Sequence, residues 1–206
     1  MVEALSRGDG STGWVQMAAS LSTGTGAAYL DCEVAAELFD GRLSVIAGHG
    51  APLGRADVEP GGFRLSGDWS YASGVLHANF VHTGGIVHEH GRPRLDPKRG
   101  QPEFRIFVVP VEAATLGGNW DALGLRSTGS VDYSINDAFV PAGNTHLQSV
   151  NVANTGGEIY KLGILGFGNR GQVHLARAST APVRAVSRSP RAMARWRWWV
   201  GLGSVS

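Results

Sequence analysis

Residues 67–74 read GDWSYASG and place two large aromatic side chains and two hydroxyls within eight positions that end on a glycine. Trp69 and Tyr71 supply flat apolar surfaces, while Ser70 and Ser73 supply groups that donate and accept hydrogen bonds. A solvent-facing hairpin has no need of two such aromatic residues, so the pattern favours a binding site for a flat molecule with polar edges. The competing interpretation is local, because turn serines often bond nearby backbone and a tryptophan often packs in a core.

A second group of residues has side chains that could bind a metal ion. His77, His82, His88 and His90 fall within 14 residues, and zinc takes three or four such ligands. The chain has neither a helical HExxH pattern nor a cysteine pair, and residues 91–93 read as a loop tip. We therefore expect these histidines to face solvent on a hairpin and expect no metal.

Composition places the chain among ordinary globular proteins. Of 206 residues, 43% are hydrophobic and 17% charged, and the 30 glycines favour short strands joined by tight turns. The single cysteine, Cys32, excludes an internal disulfide. No run of about 18 apolar residues and no signal peptide are present, so we expect a cytoplasmic protein without a membrane partner.

The charge is unevenly distributed. Residues 170–206 hold seven arginines and no acidic residue, whereas residues 1–169 hold 11 Lys and Arg against 17 Asp and Glu. Arginine interleaved with tryptophan could form an arm for nucleic acid or membrane. The bias and the lack of periodicity instead favour a disordered end or translation in another reading frame, and we expect no nucleic-acid partner.

A GxGxxG spacing at Gly166–Gly171 raises a third possibility, a dinucleotide site. Such a site also needs an acidic residue about 20 positions later and a βαβ unit. No acidic residue follows Glu158. The spacing alone, in a glycine-rich chain, is a weak signal.

The elements that position these residues change along the chain. A helix is expected from near Gly13, capped by Asp9 or Ser11 and interrupted at Gly24 and Gly26. A second short helix is expected over residues 30–39. Short runs rich in β-branched and aromatic residues then predict an antiparallel barrel or sandwich, with strands at 42–47, 62–66, 68–73, 77–87, 102–110, 113–116, 120–125 and 132–141.

Three stretches in order, DGSTGW at 9–14, GGFRLSGDWSYASG at 61–74 and WDALGLRSTGSVDYSINDAFVP at 120–141, resemble the acyl-CoA dehydrogenase superfamily. The resemblance is closest to flavin-dependent aromatic hydroxylases, the oxygenase components of two-component monooxygenases. It covers roughly residues 3–169.

The resemblance implies an α+β fold and an incomplete copy that lacks the C-terminal helical domain. Residues 1–41 would end an N-terminal helical domain, and residues 42–145 would form the middle β-barrel domain. Residues 146–169 would begin a truncated C-terminal helical domain, followed by the atypical basic tail, 170–206. The family assembles as homotetramers, and a truncated chain would lack part of that assembly surface.

The resemblance also implies a bound flavin, FAD or FMN, held between two edges of the β-domain. The predicted cofactor-binding residues are Trp69, Ser70, Ala72, Ser73 and Gly74 on the first edge, and Ala47 and Gly48 on the second. Residues 45–54 lack the Thr/Ser-Glu-Pro-Gly pattern of the dehydrogenase branch, which favours a hydroxylase.

The implied activity is hydroxylation of a small aromatic substrate by O₂, with reduced flavin supplied by a separate flavin reductase. Ser70 or Ser73 would donate a hydrogen bond in a water-excluded pocket. Two alternatives stay open: an acyl-CoA dehydrogenase acting on an acyl-CoA, and a non-catalytic remnant that binds no flavin. No catalytic residue is assigned, because the family's catalytic base lies on helices absent from this chain.

Overall fold

The computed structural model describes residues 1–41, 43–150, 152–163 and 166. Three helices come first: α1 (Val2–Gly8), α2 (Gly10–Tyr29) and α3 (Cys32–Phe39). The strands follow as β1 (Ile46–Glu59), β2 (Gly62–Trp69), β3 (Phe80–Glu89), β4 (Arg92–Pro93), β5 (Phe104–Pro110), β6 (Ala114–Leu116), β7 (Tyr133–Pro141) and β8 (Thr145–Leu147). The basic tail and all but the first residue of the GxGxxG spacing lie outside the described residues.

Acidic side chains start the second and third helices. The Asp9 carboxylate accepts a hydrogen bond of 2.6 Å from the Thr12 backbone N–H, and Asp31 accepts one from Glu33 N–H. Each carboxylate pairs a backbone donor that has no partner within the first turn of its helix. The predicted cap at Asp9 is therefore confirmed.

Helix α2 continues unbroken through Gly24 and Gly26, so the predicted interruption is wrong. A Cβ built on Gly26 would lie 2.7 Å from Ile46 Cδ1. The glycine lets the helix approach the first strand closely, and this packing offsets its low helix propensity.

Over the described part of the chain, the strands form one open, mixed sheet. Its order is β6-β7-β2-β1-β3-β5-β8, with β4 paired to β3. Because β6 and β8 form two separate edges, the expected closed antiparallel barrel is wrong.

Strands β1 and β3 pair in parallel, from Ile46 opposite Phe80 to Asp57 opposite His88. The chain rises along β1, returns along β2 and rises again along β3, which lies beside β1 instead of β2. Strand propensity does not specify which strands become neighbours, so the sequence pattern alone could not show this pairing.

One end of the sheet collects four strand termini. Strands β1 and β3 begin there, at Ile46 and Phe80, and β2 ends there with Trp69 opposite Tyr133, the first residue of β7. The chain segments that leave or enter the sheet at this end, 70–79 and 125–132, are therefore neighbours. We call this end of the sheet the site end.

Residues 120–125 form a loop instead of the predicted strand. The Trp120 indole N–H donates to the Leu125 carbonyl at 3.2 Å, and Leu125 has a positive φ of 56°. These features turn the chain back on itself, so it cannot continue a ladder. A one-turn helix, Arg126–Thr128, follows.

The larger hydrophobic core contains side chains from β1, β2, β3, β5 and β7, including the fully buried Trp69 and Phe107. A smaller cluster of Leu30, Ala35, Ile46 and Val108 packs between the helices and the sheet. No helix in the described residues combines the length and apolarity that a bilayer crossing requires.

Candidate functional site

The three sequence stretches that carry the resemblance meet at the hydroxyl of Ser73. The Trp14 indole N–H, from the first stretch, donates to Ser73 Oγ at 2.9 Å. Ser130 Oγ, from the third stretch, lies 2.7 Å from the same atom. Ser73 itself is only 8% exposed. Residues far apart in sequence therefore share one buried polar contact at the site end.

Backbone hydrogen bonds hold the segment 69–74, which we call the first edge, against the loop 125–132. Ala72 N–H donates to the Val131 carbonyl and Gly74 N–H to the Thr128 carbonyl, both at 3.0 Å. The Tyr71 N–H donates to the Asp132 carboxylate. The first edge thus takes its shape from the loop that the third stretch encodes.

The contact at Ser73 continues into a chain of hydroxyls. Thr128 Oγ1 lies 2.7 Å from Ser130 Oγ and donates to the Leu125 carbonyl at 2.8 Å. Thr128 is 2% exposed and Ser130 4% exposed. Because these side chains are buried, each hydroxyl depends on its protein partners for hydrogen bonding.

The second edge consists of Ala47, Gly48 and His49 at the start of β1. Gly48 has a φ of 145°, and a Cβ on this residue would collide with the His82 carbonyl of β3. Only glycine fits this position without backbone movement. Ala47 is buried in the core.

Tyr133 connects the two edges. Its hydroxyl accepts a hydrogen bond from His49 N–H at 3.2 Å and donates one to Thr83 Oγ1 at 3.0 Å. Its ring stacks on Trp69, with centroids 5.3 Å apart and an interplanar angle of 13°. Burial raises the pKa of the Tyr133 hydroxyl, so this group stays protonated.

One of the four clustered histidines, His82, contradicts the prediction that they face solvent on a hairpin. His82 points into the protein: burial, followed by the nearby His146 and His49, lowers its pKa to about 3. His90 does lie at an exposed hairpin turn. Within the described residues, no group of three or more His, Cys, Asp or Glu side chains is arranged to hold a metal ion.

The predicted cofactor-binding residues divide into buried and accessible groups. Trp69 and Ala72 are at most 1% exposed, and the Trp69 indole N–H donates to the Gly84 carbonyl. These contacts give both residues a role in holding the edge. Ser70 is half-buried, as is Gly48. Direct flavin contact by any of these residues stays a prediction.

A groove of about 710 Å³ runs along α2 beside the first edge. Its wall on α2 carries mainly small and polar side chains. The other wall is formed by residues before β1, by the two segments at the site end and by Tyr160. The lining residues are Ser11, Thr12, Val15, Gln16, Ala19, Ser20, Thr23, Gly24, Leu43, Ser44, Val45, His77, Ser127 and Tyr160. None of these described lining residues is Asp, Glu, Lys or Arg.

The groove adjoins the first edge without including it. None of the seven predicted residues lines it, among the residues that the structure describes. Val15 lines the groove and also packs on Gly74, where a Cβ would lie 2.9 Å from Val15 Cγ1. Two other lining residues are close to the first edge. His77 follows it in sequence, and Ser127 belongs to the loop 125–132 that supports it. The Val15 side chain therefore lies between the groove and Gly74 of the first edge.

Sequence reasoning missed Trp14, Thr128 and Ser130 as members of the site. All three belong to the stretches that carry the resemblance, but a linear pattern does not show which of its residues are in contact. Their polar groups were the available signal, because an indole N–H and buried hydroxyls require partners.

Comparison with known proteins gives relatives that are monooxygenases. The indole-3-acetate monooxygenase of Pseudomonas putida is 35% identical over 144 residues, which are 68% of this chain and 34% of that protein. The oxygenase subunit HsaA of a flavin-dependent monooxygenase from Rhodococcus jostii (strain RHA1) is 36% identical over 91 residues, 44% of this chain and 22% of that protein. No protein-family model matches the chain.

The fold is also similar to that of a solved monooxygenase. The crystal structure of the HsaA monooxygenase from M. tuberculosis superposes with a TM-score of 0.69 and 25% identity, covering 97% of this chain and 56% of that one. This chain spans about a third or less of the length of the two curated relatives above, at 34% and 22%. Its sequence and fold are thus similar to oxygenase components of flavin-dependent monooxygenases.

Proposed function

We propose that the chain forms part of an oxygenase component of a two-component flavin-dependent monooxygenase, acting with reduced FAD or FMN on a small aromatic substrate. The observation that carries this proposal is the meeting of three sequence stretches at Ser73, beside a groove. The similarity to oxygenase subunits supports it. A flavin reductase would be the partner that supplies the reduced cofactor, and we propose a cytoplasmic location.

The residues at the site end suit a flavin. A ring of this size needs a cavity of several hundred Å³ with a few fixed polar groups, and the groove offers about 710 Å³. Ser73 and the half-buried Ser70 would supply polar contacts at the first edge. When bound, the flavin would supply the chemistry that activates O₂.

The protein's own residues would orient the ring and exclude water. The first edge is tied to loop 125–132 by backbone bonds and to the second edge through Tyr133. Because both edges are fixed before any ligand arrives, binding orders few groups. Such fixed polar groups are the usual source of electrostatic stabilisation in an active site.

The uncharged groove favours a hydroxylase over an acyl-CoA dehydrogenase. The phosphates of coenzyme A are normally bound by arginine, lysine or free helix N-termini. The described lining has no arginine or lysine, and the Asp9 carboxylate already occupies the N-terminus of α2. We propose an aromatic substrate without a net charge, whose polar substituents bond to groups such as Gln16 and His77.

Anaerobic flavin titration tests the proposal. The whole chain is titrated with reduced and with oxidised FMN and FAD while tryptophan fluorescence is followed, and we expect a Kd below about 0.1 mM for a reduced flavin. Ala19→Trp, which fills the groove, should abolish binding. Ala36→Trp, on an exposed face of α3, is the matched control and should bind normally.

Two outcomes would contradict the proposal in different ways. Failure of every flavin form to bind would favour a non-catalytic remnant. Bleaching of bound oxidised flavin by an acyl-CoA would indicate a dehydrogenase. Substrate-dependent consumption of NADH with an added flavin reductase, accompanied by a hydroxylated product, would support the proposed activity.

A further inference from the structure

The hydrogen bonds that connect the buried hydroxyls at the site end can run in only one donor-to-acceptor direction. Thr128 has a single hydroxyl proton, and its Oγ1 lies 2.8 Å from the Leu125 carbonyl, which can only accept. Thr128 must therefore donate to that carbonyl. At its 2.7 Å contact with Ser130 it then accepts, so the Ser130 proton points toward Thr128.

The same reasoning fixes the direction of the hydrogen bond between Ser73 and Ser130. Since Ser130 has used its only proton, the 2.7 Å contact between Ser73 and Ser130 requires Ser73 to donate. Ser73 also accepts the indole N–H of Trp14. Its proton is now committed, and one acceptor position remains. Reversing any step would bring two lone pairs together in a buried environment, where an unmade hydrogen bond destabilises the fold.

We propose that Thr128 and Ser130 are positioning residues that make Ser73 an acceptor toward a bound ligand. This inference rests on the proposed function, in which Ser73 faces the flavin. It assigns Ser73 the role of acceptor in place of the donor role expected from the sequence. Thr128 and Ser130 act only through Ser73.

An acceptor at this position distinguishes the two oxidation states of a flavin. The reduced ring carries a hydrogen on N5 and can donate there, whereas N5 of the oxidised ring has only a lone pair. A serine without a free proton would accept a hydrogen bond from N5 of the reduced ring and would repel the N5 lone pair of the oxidised ring. The hydroxyl chain would therefore make the site bind reduced flavin more tightly than oxidised flavin.

The test is the ratio of the two dissociation constants, measured anaerobically on the whole chain. Thr128→Val removes the acceptor for Ser130, whose proton then turns to Ser73 and frees the Ser73 proton. We expect oxidised flavin to bind about fivefold more tightly and reduced flavin about fivefold more weakly, the effect of one hydrogen bond on each. Thr128→Ser keeps the hydroxyl and should keep the wild-type ratio.

Two further variants separate this inference from a general loss of structure. Ser130→Ala also frees the Ser73 proton and should change the ratio in the same direction as Thr128→Val. Ser73→Ala should weaken binding of reduced flavin with no gain for oxidised flavin. Thr115→Val, on the exposed edge strand β6, controls for replacing threonine with valine and should leave the ratio unchanged.

The outcomes are distinguishable. A wild-type ratio in both Thr128→Val and Ser130→Ala, with flavin still bound, would overturn the inference and leave the proposed function standing. Absence of flavin binding by the wild-type chain would overturn both.

Discussion

Trp14 and Ser73 lie 59 positions apart in the chain and are joined by a hydrogen bond of 2.9 Å between the indole N–H and the serine hydroxyl. This bond connects the helical segment to the first edge of the site end. It is one contact at which helix α2 and the β-sheet fix each other's position, so its removal should affect both.

Trp14→Phe keeps an aromatic ring but removes the N–H donor. We expect the free energy of unfolding to fall by about 1 kcal/mol, the usual net contribution of a neutral hydrogen bond. Urea denaturation measures the change. In a double-mutant cycle with Ser73→Ala, the two effects should not add, because both variants break the same bond. Simple additivity would show that the bond contributes nothing.

Gly48→Ala should be one of the most damaging single substitutions in the sheet. The added Cβ would collide with the His82 carbonyl, and the φ of 145° is strained for any residue with a side chain. We expect a loss of about 3 kcal/mol or more. The control is Gly61→Ala, which also has a positive φ but nothing within 4 Å of the new atom. If both variants lose equal stability, steric collision is not the cause.

Tyr133→Phe should loosen the connection between the two edges. The substitution leaves the His49 N–H without its acceptor and Thr83 without its donor, and we expect a loss of about 1–3 kcal/mol. The stacking on Trp69 is retained, so the tryptophan bands in the near-ultraviolet circular dichroism spectrum should change little. Unchanged stability would mean that water replaces the phenolic hydroxyl.

As the pH is lowered, the fold should begin to lose stability at pH values well above those at which carboxylates titrate. Burial is the main cause that lowers the pKa of His82 to about 3 and that of His146 to about 4, from an ordinary value of 6.5. Below pH 6.5 the unfolded chain therefore binds protons that the folded protein excludes. Stability should be full above pH 6.5 and fall toward pH 4 by about 1.4 kcal/mol per pH unit for each histidine.

Denaturation at several pH values checks this expectation. Burial also lowers the pKa of His49, so His82→Leu removes one of three contributing histidines and should reduce the slope. His90→Asn changes an exposed histidine at a turn that tolerates a positive φ and should leave the slope as in the wild type. An equal slope in all three proteins would show that other groups control the acid transition.

Sequence patterns anticipated most of the elements but not their arrangement. The cap at Asp9 and the strand runs predicted at residues 62–66 and 102–110 follow from local chemistry, which a sequence shows directly. The parallel pairing of β1 with β3 and the closeness of Gly26 to Ile46 depend on which distant segments pack together, and propensity carries no such information.

The sequence pattern indicates where the candidate site lies but not which side chains are in contact there. The aromatic and hydroxyl pattern at 69–73 led to the first edge, yet Trp69 lies in the core and Ser73 in a hydroxyl chain. The partners that give Ser73 its role, Trp14 and Ser130, are separated from it by 59 and 57 positions. Only the three-dimensional structure places them together.

The concentration of four strand termini at the site end leaves the opposite end of the sheet to simple turns, one of them at His90–Gly91 between β3 and β4. A fluorescent label or a surface-immobilisation tag attached there would be separated from the groove by the length of the strands. Immobilised protein could then be exposed to successive cofactor solutions without its attachment point obstructing entry.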